Sequence, residues 1–328
     1  MRGIVLDAPG QVRVAELPEP QPGPAEALVS LRLGGLCGSD VAALRGSSPH
    51  LRYPCVLGHE LLVDVVHCPE RPDLVGRRAV VEPLLPCGAC PTCRVGRYNC
   101  CPELRVLGVH APGGLTEHAA LPARNLYAVP EGMPDELAVL AEPLSIAYRA
   151  VQRSGVEAGR VVVVLGAGPI GLLITQLLLG SRGCRVLISD VDPQRLAVAQ
   201  RLGAEPLPPS SLEGAAGVGD VVFEAAGHPA ATAACTDLVA PTGRIVLVGW
   251  NRGPVPVDTV TLMRKEAEIF TSRNSVGAFG PVLRLLASGA VDPKSLISHR
   301  FPLTRGPEAL RLLANGGPAV KVLVAGPA

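Results

Sequence analysis

The chain has 328 residues, which fits two domains at roughly 100–200 residues each. Its 48% hydrophobic and 18% charged residues supply two buried cores and exclude disorder as the main state. Thirty basic against twenty-nine acidic residues leave a net charge of +1, so no electrostatic argument points to nucleic acid or an anionic membrane as partner.

The N-terminal segment Met1–Asp7 has no apolar run and meets an acid at once, unlike a secretory signal; a cytoplasmic location is expected. Up to about residue 140 the chain is rich in Gly and Pro, with short β-branched runs at Ala27–Leu33, Leu61–Val66 and Arg78–Glu82, and reads as a loop-rich β domain. From about Leu144 the texture changes. Strand-like runs at Val161–Leu165, Arg185–Ser189, Asp220–Glu224 and Arg244–Gly249 alternate with helical patterns at Ile170–Leu179, Pro193–Leu202 and Pro229–Val239. That rhythm predicts a parallel, doubly wound α/β sheet, with strands such as Val-Val-Val-Val-Leu buried on both faces. Val161–Gly180 is uncharged and of membrane-spanning length, but four glycines and a proline divide it into strand, turn and helix. Pro206–Ser211 reads as a polar loop. After Phe270, helices are expected near Val282–Ala287 and Pro307–Asn315, then a strand Ala319–Val324, in a tail returning to the first domain.

Five of ten cysteines fall between Cys87 and Cys101. In a chain without a secretory signal, such a cluster points to metal and not to disulfides. Cys87, Cys90 and Cys93, followed by Cys101, have the spacing C-x2-C-x2-C-x7-C, which closes a tetrahedral zinc site with no open position. Cys100 competes with Cys101 for the fourth place. Gly166-Ala-Gly168-Pro169-Ile170-Gly171 follows the valine strand and opens a helix, the context in which G-x-G-x-x-G binds a dinucleotide. Its glycines let backbone N–H groups approach a pyrophosphate at the helix N-terminus. Asp190, just beyond the next strand, is placed to accept hydrogen bonds from an adenosine ribose, which predicts NAD over NADP. Arg195 is expected to brace the adenosine. Cys37-Gly-Ser39-Asp40, Gly58-His59-Glu60 and Glu142 together offer the S, N and O donors of a zinc site with an open position. His59 and Glu60 would point oppositely on a regular strand, so Glu60 needs a bulge to reach such an ion, whereas Glu142 does not.

The order of these motifs, with Arg97-Tyr-Asn99, Pro122-Ala-Arg-Asn125 and Ala319-Val-Lys321-Val, resembles the zinc-containing medium-chain dehydrogenase/reductase family along essentially the whole chain. The resemblance implies a GroES-like catalytic domain from residues 1–145 and 276–328, with a Rossmann NAD-binding domain, 146–275, inserted. It implies two zinc ions per chain, a structural one on Cys87, Cys90, Cys93 and Cys101 and a catalytic one on Cys37, His59 and either Glu60 or Glu142. Glu142 resembles the polyol, sugar and threonine branch. The stretch around Arg273 is similar to polyol and sugar-acid dehydrogenases, in which an arginine lies near substrate and cofactor. Ser39 would pass on the substrate proton. The family often carries a histidine where this chain has Ala42, so the relay must end elsewhere, His50 being one candidate. The implied activity is hydride transfer between NAD and a secondary alcohol of a polyol, sugar or related polar metabolite, in a homodimer or homotetramer. A threonine or simple-alcohol dehydrogenase, or a non-catalytic cofactor-binding relative, are the alternatives.

Overall fold

Glu26–Leu36 is the longest strand of the protein, and its burial pattern changes along its length. Buried and less buried side chains alternate from Glu26 to Arg32, as on a sheet with one face on the core. From Leu33 to Leu36 every residue is buried, and Cys37 follows directly. The computed structural model in which this is seen describes residues 1–49, 51–251, 253–316 and 319–327. His50 lies outside the described residues, so the candidate end of the relay has no placement.

The chain divides into two compact units: Met1–Glu142 with Phe279–Ala287 and Pro293–Ala328, and Pro143–Ala278 with Ser288–Asp292. Ser288–Asp292, part of the tail expected in the first domain, thus belongs with the second.

In the first unit, strands run in the order Leu126–Ala128, Arg78–Val81, Glu60–His67, Glu26–Leu36, Lys321–Ala325 and Ile297–Pro302, with His118–Pro122 also paired to Glu26–Leu36. A smaller sheet joins Gln11–Glu16, Arg2–Ala8 and Cys55–Val56. Glu26–Leu36 is therefore flanked by Glu60–His67 and Lys321–Ala325, both antiparallel to it, with Gly35 opposite Glu60 and Leu36 opposite Val322. Three neighbouring strand ends deliver Cys37, Glu60 and Lys321 to one place.

The second unit contains a six-stranded, all-parallel sheet in the order Glu205–Pro206, Arg185–Ser189, Val161–Leu165, Gly219–Glu224, Val239–Leu247 and Glu268–Thr271. Val162, Val163 and Val164 are completely buried, each worth about 1.5–3 kcal/mol relative to exposure. Helix Pro169–Arg182 starts with proline at its first position and ends at left-handed Gly183. Among the described residues no helix is long and apolar enough to cross a membrane.

Several boundaries differ from expectation. Pro206 is part of a short edge strand and not loop. Helix Pro229–Leu238 stops one residue early, because Val239 already pairs with Gly219. The register then shifts before Arg244, with Thr242 in the left-handed region, so the Ala-Pro-Thr-Gly segment bulges from a strand that resumes afterwards. Glu268–Thr271 forms an edge strand that its short sequence did not announce.

Lys265 closes the far end of helix Pro229–Leu238. Its ammonium donates to the carbonyls of Thr236, Asp237 and Val239 at 2.9, 2.7 and 2.8 Å. These oxygens carry the negative end of the helix dipole and lack intrahelical partners. Lys265→Met should therefore lower stability by about 1–2 kcal/mol, read as a lower urea midpoint with unchanged slope. An unchanged midpoint would show the cap to be unimportant.

Candidate active site

The first cluster grows out of the end of Glu26–Leu36. Cys37 caps the short helix Gly38–Leu44, and its backbone N–H donates to Asp40 Oδ2 at 2.8 Å. Asp40 is buried, and burial raises its pKa. Its other oxygen lies 3.9 Å from His59 Nδ1. Ser39, exposed on the same helix, places Oγ 3.5 Å from His59 Nε2. Donor atoms of Cys37, His59 and Glu60 all lie within 4.8 Å of one another.

Glu60 reaches this cluster without the expected bulge. His59 precedes the strand, which begins at Glu60, and Gly58 before it has φ +110°. The two neighbours therefore do not alternate as strand residues would. Gly35 makes the approach possible, since a Cβ there would lie 1.9 Å from Glu60 Oε2. Glu60 also meets a residue that motif reasoning passed over. Lys321 Nζ lies 2.7 Å from each carboxylate oxygen and donates to the Leu36 carbonyl at 3.2 Å. Lys321 is 2% exposed; burial disfavours its charge, but Glu60, Cys37 and Glu142 favour it more, and its pKa is raised.

Glu142 lies outside that group of three donors, yet close enough to interact with His59 and Glu60. Burial pushes its pKa up to about 7, the charges of His59 and Glu60 acting in opposite senses. Burial also works against charge on His59, but Asp40 and Cys37 outweigh it and hold the imidazole well above its ordinary range. Negative or potentially negative groups thus outnumber cations here. His59 Nδ1 is buried without a hydrogen-bond partner. The S, N and O donors and this unsatisfied nitrogen fit a zinc ion.

The second cluster is made locally. The sulfurs of Cys87, Cys90, Cys93 and Cys101 lie within 4.8 Å of one another, and Cys100 is not among them. Cys101 is buried against Leu84 and Leu104. Thr92 Oγ1, 3.1 Å from Cys90 Sγ, is the main cause that brings this thiol down to about 6, toward the thiolate that metal requires. The lobe is tied to the sheet through Glu82, whose carboxylate accepts hydrogen bonds from Tyr98 at 2.7 Å and Tyr127 at 3.0 Å.

In the second unit, Gly166 to Gly171 form the turn from Val161–Leu165 into the helix. A Cβ on Gly171 would lie 1.8 Å from the Gly166 carbonyl oxygen, so only glycine fits. Asp190 Oδ2 accepts from Ala167 N at 2.7 Å and Oδ1 from Asp192 N at 2.9 Å, fixing the carboxylate beside this turn. Arg195 lies 4.0 Å from Asp190 and 3.7 Å from Asp192, so it does more than brace an adenosine: it partly balances Asp190. Glu224, fully buried at the end of its strand, was not singled out by the motifs. Its carboxylate accepts from Ala226 N and Gly227 N at 3.0 and 2.8 Å, holding the neighbouring loop. Arg273 is exposed in this unit, between the buried hydroxyls of Ser272 and Ser275 and next to left-handed Asn274; it is not part of the donor cluster.

Residues 23–131 match the Alcohol dehydrogenase GroES-like domain family, and residues 169–288 match the Zinc-binding dehydrogenase family. The starvation-sensing protein RspB of Escherichia coli K12 is 35% identical over 322 residues, covering 95% of each chain. The chain belongs to the zinc-binding alcohol dehydrogenase family. L-galactonate-5-dehydrogenase of the same organism is 32% identical over 314 residues, with 92% of each chain covered. The crystal structure of the alcohol dehydrogenase rspB from Escherichia coli CFT073, complexed with NADH, superposes with a TM-score of 0.93, at 34% identity and 99% coverage of each chain.

As a zinc-binding dehydrogenase it acts on CH–OH groups. Asp40, Lys321 and Glu224 are the groups around its two sites that motif spacing did not supply. Asp40 was quoted only within a motif, and its burial beside His59 appears only on folding.

Metal analysis of the loaded protein should find two zinc ions per chain. Cys93→Ser should lose one and unfold at lower denaturant, because a closed site contributes folding free energy. Cys37→Ser should lose the other and abolish turnover with folding intact. Reversed phenotypes would reverse the two assignments.

Proposed function

We propose that the protein oxidises a secondary alcohol of a polyol, sugar or sugar acid with NAD, using one zinc ion for catalysis and one for structure. The observation that carries this reading is the convergence of Cys37, His59 and Glu60 within 4.8 Å, with Glu142 buried beside them. The name of the L-galactonate-5-dehydrogenase relative favours a sugar-acid substrate over a simple alcohol.

Cys37, His59 and a glutamate would hold the catalytic ion, while Cys87, Cys90, Cys93 and Cys101 would hold the structural one. Zinc supplies a Lewis acid that lowers the pKa of a substrate hydroxyl, and NAD supplies the hydride acceptor. Ser39 Oγ is the chain's own group placed to take up the proton, being exposed and 3.5 Å from His59 Nε2. Asp40 orients the first residues of its helix by accepting from Cys37 N and faces the other side of the imidazole. Glu142, with its pKa near 7 through burial, adds a carboxyl whose charge bears on the same centre. Gly166, Gly168, Pro169, Ile170 and Gly171 would receive the pyrophosphate at the helix N-terminus, and Asp190 the adenosine ribose. Arg273 would meet the polar substrate or the cofactor from the second unit.

All ten cysteines are free thiols, as a reducing compartment requires, which supports a cytoplasmic location. A homodimer or homotetramer is supported by the edge strand Glu268–Thr271, where Ile269 is exposed, and by exposed Val260 and Met263 on the preceding helix.

The test is NADH formation across a panel of sugar acids, polyols, threonine and simple alcohols. Sugar acids or polyols should give the highest kcat/KM; a simple alcohol in first place would overturn the substrate class. NAD should be preferred to NADP by at least about tenfold in kcat/KM, roughly 1.4 kcal/mol, because a 2′-phosphate would face the Asp190 carboxylate. Asp190→Ser should erode that ratio. Equal use of both cofactors by the unmodified enzyme would show that Arg195 offsets Asp190.

A further inference from the structure

Lys321 and Glu60 form an ion pair that stability alone does not explain. Both are essentially out of solvent, at 2% and 1% exposure. Burying two such charges costs several kcal/mol each, and well-packed apolar residues of similar size often serve stability as well or better. The geometry is nevertheless specific. Lys321 reaches both carboxylate oxygens at 2.7 Å, and its third close partner is the carbonyl of Leu36, the residue before Cys37. Gly35 opposite Glu60 leaves the space in which the carboxylate lies. The same carboxylate stands within 4.8 Å of the Cys37 and His59 donors. It therefore has two cationic destinations close together, a fixed ammonium and the position of a metal ion.

We propose that Lys321 is a positioning residue that makes Glu60 an exchangeable ligand: the ammonium receives the carboxylate whenever it leaves the ion held by Cys37 and His59, freeing a coordination position for substrate. The inference rests on the reading of these residues as the catalytic zinc site. Without the ammonium, Glu60 has no other counter-charge at hand in a buried pocket and stays on the ion. The metal is then held longer and the substrate's position is occupied more of the time. Lysine suits this task because its compact charge sits between the two oxygens and the Leu36 carbonyl at once.

The experiment compares zinc release to a chelator from the loaded enzyme and its Lys321→Met variant, with cobalt in place of zinc as a second readout. Lys321→Met should release the Cys37-dependent ion at least about tenfold more slowly, the lower end of what outer-shell changes do. Its cobalt absorption bands should change, and its KM for the alcohol should rise. Lys321→Arg, which restores the charge, should return release and spectrum toward the parent. In a Glu60→Gln background, Lys321→Met should have no further effect on release, since the coupling runs through that carboxylate. Lys321→Gln, uncharged but still able to donate, repeats the comparison should the methionine variant not fold. Release at the parent rate or faster from the uncharged variants, or slowing that persists with Glu60→Gln, would overturn the inference while leaving the zinc site standing. A parent enzyme with no Cys37-dependent ion would overturn the site itself and the inference with it.

Discussion

Cys37, Asp40, Glu60 and Glu142 crowd around one spot, and a protein interior does not hold that much negative character without cations to match it. Lys321 supplies one positive charge, and His59, drawn well above its ordinary pKa by Asp40 and Cys37 despite its burial, shows the demand for another. A bound divalent ion answers that demand and lets the histidine stay neutral as a ligand. The local backbone serves the same balance. Asp40 is spent on the Cys37 N–H and the face of His59, and Gly35 gives up its side chain so that Glu60 can lie against the strand.

The fold places these groups economically. One strand ends in Cys37, its antiparallel neighbour begins with Glu60, and the neighbour on the other side begins with Lys321. The donors are thus set by sheet register, which a single slip would destroy. The cysteine lobe is different, since all four sulfurs come from one short loop and need no register. It is joined to the sheet mainly by the grip of Tyr98 and Tyr127 on Glu82, with Asn125 donating to the carbonyls of Glu82 and Leu84.

What the sequence made legible follows from how local each signal is. The valine strand, the glycine turn and the cysteine loop are continuous stretches whose spacing carries its own geometry, and they stand where expected. Family resemblance brought Cys37 and His59 together across the intervening residues. Lys321 was quoted only as part of an end motif, because nothing local says that residue 321 pairs beside residue 36. Glu224 and Asp40 were invisible as buried acids for the same reason. The supposed need for a bulge at Glu60 failed because alternation holds only inside a strand, and His59 lies before it. The edge strands Glu205–Pro206 and Glu268–Thr271 are too short to show a period, and they owe their form to the strands beside them.

Of the thirty basic residues only Lys265, Lys294 and Lys321 are lysines. Lys321 is buried on Glu60, Lys265 is half-buried on three carbonyls, and the N-terminal amine is 9% exposed, near Glu19. Lys294 alone among the lysines is exposed. Amine-directed chemistry on the folded protein, whether a dye, a crosslinker or an activated resin, would therefore attach chiefly through Lys294. A preparation immobilised in this way would be oriented almost uniformly, and labelling at Lys265 or Lys321 would report unfolding.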